Sequence, residues 1–226
     1  MTTALILGLI LVILAGFFYW MNKICVAANK TDWGNFWLNR LDGLIRLFCV
    51  KYHRLKYEPV ALPETGGAIV ISNHVSGLDP LLLVASSRRP LRFMIAREEY
   101  NRFGFQWLFK AIGCIPVNRG GRAEAALKEA IRALNNGEVI AMFPYGGIHA
   151  DESALPAFKG GAVMLAQKTN SALYPVRLEG IAGKGHTILA VPMRSHAYLR
   201  QYHSVTCDDQ EHKACIDILD ELFRIR

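Results

Sequence analysis

The sequence predicts an α/β fold: a mixed, mostly parallel sheet flanked by helices, preceded by an N-terminal helical segment that anchors the chain to a membrane. Two observations carry this expectation. Downstream of residue 57, short apolar runs alternate with helical patterns, as in strands joined by crossover helices. Upstream, an almost uninterrupted apolar stretch opens the chain. The 226 residues suit one medium domain and an appendage. Residues 1–56 read as the hydrophobic and amphipathic anchor, and residues 57–226 as the globular domain.

Residues 4–21 are almost all apolar, with Gly8 and Gly16 the neutral breaks. A bilayer-spanning helix needs about 20 apolar residues, so the run just reaches. Phe17, Phe18, Tyr19 and Trp20 stand at its end, where aromatic side chains favour the headgroup level. A removed signal peptide is the competing reading. It lacks a basic start, and only Val26-Ala27-Ala28 resembles a cleavage site. An uncleaved anchor is expected, either spanning or looping back within one leaflet. Positive residues on its C-terminal side put the following domain in the cytoplasm.

Residues 32–52 read as a second helix. Trp33, Phe36, Trp37, Leu41, Leu44, Leu47 and Phe48 recur at three- and four-residue spacing, with Asp32 as N-cap. The helix either packs on the domain core or lies at the lipid interface with Arg40, Arg46, Lys51, Arg54 and Lys56 near phosphates. The segment 23–58 holds seven Lys/Arg against three acids, which favours membrane contact. Past the turn at 62–67, strands are expected at 68–72, 92–96, 114–118, 138–143, 172–178 and 187–191. Helices are expected at 80–88, 98–112, 121–136 and 160–169, and a last amphipathic helix from 208 to 226.

The formal net charge of +7 favours anionic partners such as membrane lipid or a phosphate-bearing substrate. No nucleic-acid motif is visible, and the charge concentrates beside the apolar anchor, so no nucleic-acid partner is expected. Five scattered cysteines without a CxxC predict a reducing compartment, no disulfide framework and no cysteine metal site. Seven histidines without ligand spacing predict no metal.

The chemistry is expected on the loop Asn73-His74-Val75-Ser76-Gly77-Leu78-Asp79-Pro80, between the strand at 68–72 and the following helix. Strand-to-helix loops are where α/β proteins carry function. His74 near neutral pH can take a proton from an alcohol, and a carboxylate on its other ring nitrogen fixes the tautomer. The competing reading is structural: Asp followed by Pro also caps a helix. Neither a GxSxG elbow nor a cysteine beside a histidine in sequence is present, so the nucleophile is expected to be the substrate's own hydroxyl.

Five further blocks follow in order: Arg97-Glu98-Glu99-Tyr100, Gly113 to Arg119, Phe143-Pro144-Tyr145-Gly146-Gly147, Phe158-Lys159-Gly160-Gly161 and Tyr174-Pro175-Val176. Together with His-x4-Asp they resemble the motifs of the glycerolipid acyltransferases, the family of 1-acylglycerol-3-phosphate acyltransferase, over residues 57–195. The resemblance implies transfer of a fatty acyl group from acyl-CoA or acyl carrier protein to a lysophospholipid hydroxyl. His74 and Asp79 would be catalytic, with no cofactor beyond the donor substrate. Arg119 would bind phosphate, aided by Arg97, Arg122, Lys159 and the Tyr145-Gly146 loop. The acceptor and product are membrane lipids, which fits the anchor. The chain departs from the family in the third motif, where Tyr145 replaces Glu, Gly147 replaces Thr and Ile148 a basic residue. Three readings follow: a different acceptor such as a lyso-aminolipid or another lysophospholipid, Tyr145 bonding the same acceptor differently, or a non-catalytic lipid-binding relative.

Overall fold

A computed structural model describes residues 2–118, 120, 123–151, 153–207 and 212–224. A six-stranded sheet runs in the order β3-β2-β4-β1-β5-β6. Its strands are β1 (Ala68–Ser72), β2 (Leu91–Ala96), β3 (Ile115–Val117), β4 (Val139–Met142), β5 (Leu173–Glu179) and β6 (Tyr198–Gln201). All neighbours pair in parallel except β6, which runs antiparallel along β5. The mixed, mostly parallel sheet expected from the alternation is therefore present. β1 is buried at every position because helices cover both of its faces.

Side chains alternate across the pleat and build two cores. On one face, Ala68, Val70, Leu91, Phe93, Val139 and Ala141 meet α3 (Asp79–Ser86), and α2 (Phe36–Leu47) packs on α3. On the other, Ile69, Ile71, Ile140 and Leu173 meet α6 (Glu124–Asn135), α7 (Gly161–Thr169) and α8 (His212–Arg224). Two short helices, α4 (Arg97–Tyr100) and α5 (Gln106–Ala111), replace the single helix expected over 98–112. The break falls at Gly104, whose φ of +84° no helical residue adopts.

α1 (Thr2–Ala28) is apolar and exposed along most of its length. At 27 residues it is about 40 Å long, enough to cross a bilayer. It leans on α2 at Gly43, where an added Cβ would lie 1.9 Å from the Cys25 carbonyl oxygen. The N-cap of α2 is Asn35, not Asp32: the Asn35 Oδ1 accepts from the Trp37 and Leu38 amides. Asp32 instead ties down Gly34 and Asn39. α2 is both core and surface. Arg46 and Asp42 are buried as a pair, with Arg46 donating to the carbonyls of Val84, Ala85 and Ser87 at the end of α3. Phe36, Trp37 and Leu44 face outward. A π turn (Phe48–Tyr52) continues the helix.

Two expectations need correction. The run at 187–191 is not a strand; it forms a 3-10 turn (Ile188–Ala190), and the edge strand is Tyr198–Gln201. Cys207 and Cys215 form a disulfide, with Cα atoms 6.0 Å apart, tying the first turn of α8 to the segment after β6. The expectation of no disulfide therefore fails for this pair. The other three cysteines are free and buried, and burial pushes the Cys49 and Cys114 thiols up to about 12, so neither is a ready nucleophile.

Candidate active site

The parallel strands β1, β2, β3, β4 and β5 deliver their carboxyl ends to one edge of the sheet. After β1 the chain crosses to the α2–α3 face; the helix that follows β4, α7, lies on the other face. Neighbouring strands whose connections diverge in this way leave a crevice at their carboxyl ends. His74 follows β1 and Phe143 follows β4, and they meet in that crevice: the imidazole stacks on the Phe143 ring at 3.9 Å between centroids. Phe143 is thus a site residue that sequence reading quoted only as part of a motif.

His74 Nδ1 donates to Asp79 Oδ2 at 2.8 Å. The same oxygen accepts the Val75 and Ser76 amides at 2.7 and 2.9 Å, and Oδ1 accepts the Ser76 hydroxyl at 2.8 Å. Asp79 is 0% exposed. Its carboxylate reaches back onto the loop instead of forward to the first amides of α3, and the α3 cap makes no side-chain bond. The helix-cap reading of Asp79 therefore gives way to an orienting one. With Nδ1 engaged, Nε2 is the ring nitrogen that can take a proton.

The loop is held from several sides. Asn73 bonds both the amide and the carbonyl of Leu178 on β5, fixing the residue before His74. The His149 amide donates to the His74 carbonyl at 2.7 Å. Gly185 and His186 bond Val75 and Gly77, and a Cβ on Gly77 would lie 2.3 Å from the Thr187 carbonyl oxygen, so only glycine admits this segment. Asn73 and Ser76 carried no signal in sequence beyond lying beside His74.

The remaining residues singled out in sequence divide. Lys159 and Gly146 come together: the Lys159 amide donates to the Pro144 carbonyl, and its Nζ lies over Gly146, where a Cβ would be 2.1 Å away. Gly146 has φ +80°, a further reason for glycine. Arg97 stands exposed at the carboxyl end of β2. Arg119 and Arg122 lie outside the described residues. Tyr145 turns away from His74. It is 3% exposed, packs edge-on against Phe158 and Phe223, and donates its hydroxyl to Asp220 on α8 at 2.7 Å. Burial, reinforced by Asp220, raises its phenol pKa well above the ordinary value of 10.0. The hydroxyl expected to face an acceptor is thus spent on the C-terminal helix. Among the described residues, no cluster of His, Cys, Asp or Glu could hold a metal ion.

A family model described as Acyltransferase matches residues 52–179, more than half of the chain, and the chain belongs to that family. Among curated relatives, the 1-acyl-sn-glycerol-3-phosphate acyltransferase of Borreliella burgdorferi is 29% identical over 120 residues, covering 52% of this chain and 47% of that one. The Bacillus subtilis enzyme of the same name is 26% identical over 125 residues, covering 55% and 61%. The chain thus spans less than two thirds of either relative's length. The N-acylphosphatidylethanolamine synthase of Arabidopsis thaliana is 28% identical over 111 residues, covering 45% and 39%. The crystal structure of the 1-acyl-sn-glycerophosphate (LPA) acyltransferase PlsC from Thermotoga maritima superposes with a TM-score of 0.60 over 81% of this chain and 78% of that one. At 20% identity it speaks for the fold.

Proposed function

We propose that this protein is a membrane-associated O-acyltransferase. It moves a fatty acyl group from acyl-CoA or acyl carrier protein to the hydroxyl of a lysophospholipid, with 1-acyl-sn-glycerol 3-phosphate as acceptor and phosphatidic acid as product. The observation that carries this reading is the 2.8 Å His74–Asp79 bond in the crevice between β1 and β4. The names of the bacterial relatives supply the acceptor.

In this reading His74 Nε2 takes the proton of the acceptor hydroxyl as its oxygen attacks the thioester carbonyl. The buried Asp79 carboxylate holds the ring and stabilises the imidazolium. Collapse of the tetrahedral intermediate forms the ester and expels the thiolate, which takes the proton back from His74. Base and donor are restored without a covalent acyl-enzyme. Lys159 and Arg97, with Arg119 and Arg122, are the cations for the acceptor phosphate. The exposed apolar α1 would hold the site at the cytoplasmic face of the membrane.

A second reading keeps the chemistry and changes the acceptor to a lyso-aminolipid or another lysophospholipid. It is favoured by Tyr145, which leaves the third motif without its carboxylate and spends its hydroxyl on Asp220. Purified protein given both donors and a panel of lysolipids decides between them. Preferred turnover of lysophosphatidate supports the first reading, and preference for an amine-bearing lysolipid supports the second. Absence of turnover on any acceptor by folded protein sinks both.

A further inference from the structure

We propose that the globular domain carries its own bilayer-docking surface, separate from α1. It comprises two apolar feet that stand on either side of the His74 crevice: Phe103, Phe105 and Trp107 on one side, and Ile188, Leu189 and Met193 on the other. The surface rests on the acyltransferase reading only for its purpose, not for its existence.

The exposed apolar side chains are distributed on one face. Outside α1, the large hydrophobic residues exposed among the described residues come from α2 and its π turn, from 103–107 and from 188–193; Tyr198 on β6 and Ile218 on α8 are the exceptions. Phe103 is 100% and Trp107 67% exposed. All three segments send their inward residues to the same core, through Ile45 and Phe48, through Tyr100 and Phe109, and through Ile181 and Ala190. Among the described residues of the opposite layer, α6, α7 and α8, Ile218 is the one large hydrophobic that is exposed. Isolated apolar residues on a surface need no explanation, but a face that collects them does.

Topology sets the two feet astride the crevice. β2 and β5 lie on opposite sides of the β4–β1 pair, and the loops leaving their carboxyl ends carry the feet. The second foot is held firmly. Its stem bonds the catalytic loop through Gly185 and His186, while Tyr52 Oη donates to the Pro192 carbonyl at 2.7 Å and His53 Nε2 donates to that of Val191 at 3.1 Å. The turn buries Ala190 and leaves Ile188 and Leu189 outside.

The chemistry selects lipid over a protein partner. Cations accompany the apolar groups: Arg97 and Lys110 around the first foot, where Arg102 is paired with Glu99, and Lys184 and Arg194 around the second. Arg40 stacks on Phe36 at 3.3 Å, and Arg194 sits over Tyr52 at 5.9 Å. Aromatic and aliphatic groups interleaved with Arg and Lys suit the headgroup boundary of an anionic leaflet. A second copy of the chain could cover this face only by pairing it with itself, since among the described residues of the far layer Ile218 alone is a large exposed hydrophobic. Seated this way, the crevice opens onto the leaflet, and an acceptor lipid reaches His74 without leaving the membrane.

The test uses the full chain with Trp20, Trp33 and Trp37 replaced by Phe, so that Trp107 alone reports. The probe is a vesicle of phosphatidylcholine and phosphatidylglycerol whose acyl chains carry bromine close to the headgroup. Quenching and a blue shift of Trp107 on binding are expected, stronger with phosphatidylglycerol than without it. An unquenched Trp107, alongside a quenched variant that keeps only Trp37, would overturn the proposal, since α1 and α2 then bind alone. A Trp107 shift that depends on protein concentration without vesicles would replace lipid by a second copy. A second arm uses Phe103→Ser with Leu189→Ser. Turnover of vesicle-embedded lysophosphatidate should fall roughly fivefold or more while turnover in detergent micelles holds; equal loss in both settings counts against a docking role. Quenching of Trp107 in a protein without turnover upholds the surface and sinks only the enzymatic reading.

Discussion

Replacing Asp79 with Asn removes the charge behind His74 while leaving the hydrogen-bond geometry largely in place. Asp79 Oδ2 accepts three N–H groups, from His74, Val75 and Ser76, and Oδ1 accepts the Ser76 hydroxyl. An asparagine can set its oxygen where Oδ2 was and turn its Nδ2 toward Ser76 Oγ, which rotates to accept. Every contact then survives in uncharged form, so the stability loss should be about 1–3 kcal/mol. Catalysis loses more. If His74 takes the acceptor's proton, the carboxylate faces the imidazolium formed in that step, whose charge centre is about 4 Å away, an interaction worth about 4 kcal/mol at an effective dielectric of 20. That corresponds to a factor on the order of 10³ in rate. The assay is kcat and KM for lysophosphatidate with acyl-CoA in mixed micelles, beside thermal unfolding of the same preparation. The expected result is a folded protein with kcat reduced by roughly 10²- to 10⁴-fold and little change in KM. A folded Asp79→Asn protein with kcat within about threefold of wild type would refute the orienting role.

Four further outcomes are expected. A double-mutant cycle of Tyr145→Phe and Asp220→Ala should give a coupling of about 1–2 kcal/mol in denaturant unfolding, because the two side chains share one hydrogen bond; additive effects would remove the link to α8. Arg46→Ala should cost about 3–5 kcal/mol, since it strands the buried Asp42 carboxylate, and Arg46→Lys should cost less; urea midpoints measure both. Gly43→Ala should destabilise the packing of α1 on α2 by about 1–3 kcal/mol, read as a lower melting temperature in detergent. Burial holds the His53 pKa below its ordinary 6.5, with Nε2 donating to Val191 and Nδ1 accepting from Ser195. The unfolded chain therefore binds a proton that the folded one refuses, so stability falls as pH drops below about 6.5 and recovers above it. His53→Gln should flatten that part of the melting-temperature profile relative to wild type.

The sheet was legible where burial leaves a plain mark. β1 and β4 are apolar at nearly every position because helices cover both faces, and both appear as runs in the sequence. The same rule misled at 187–191. Ile188 and Leu189 look like strand residues but are exposed on a turn, and an apolar run does not record whether it is buried or exposed. The true edge strand, Tyr198 to Gln201, mixes apolar and polar residues because one side meets solvent. The local spacing of His74 and Asp79 drew attention to their loop, but it fitted a helix cap as well as chemistry, and only the ordered downstream blocks favoured the second. The direction of Tyr145 was not readable: the motif places it at the crevice, but a turn side chain can take either face, and here Phe143 goes to His74 while Tyr145 goes to Asp220, 75 residues away in sequence. The disulfide escaped for a related reason, because only the return of α8 brings Cys215 to Cys207.

The central claim is that His74, held by Asp79, deprotonates a lysolipid hydroxyl for attack on an acyl thioester. The most direct measurement is release of free thiol and formation of diacyl product by purified wild-type protein and His74→Ala, with lysophosphatidate and each donor in turn. Wild-type protein should release thiol and form diacyl lipid in equal amounts with at least one donor, and folded His74→Ala protein should form no product. Product formation by His74→Ala at the wild-type rate, or none from folded wild-type protein with either donor and any lysolipid, would contradict the claim.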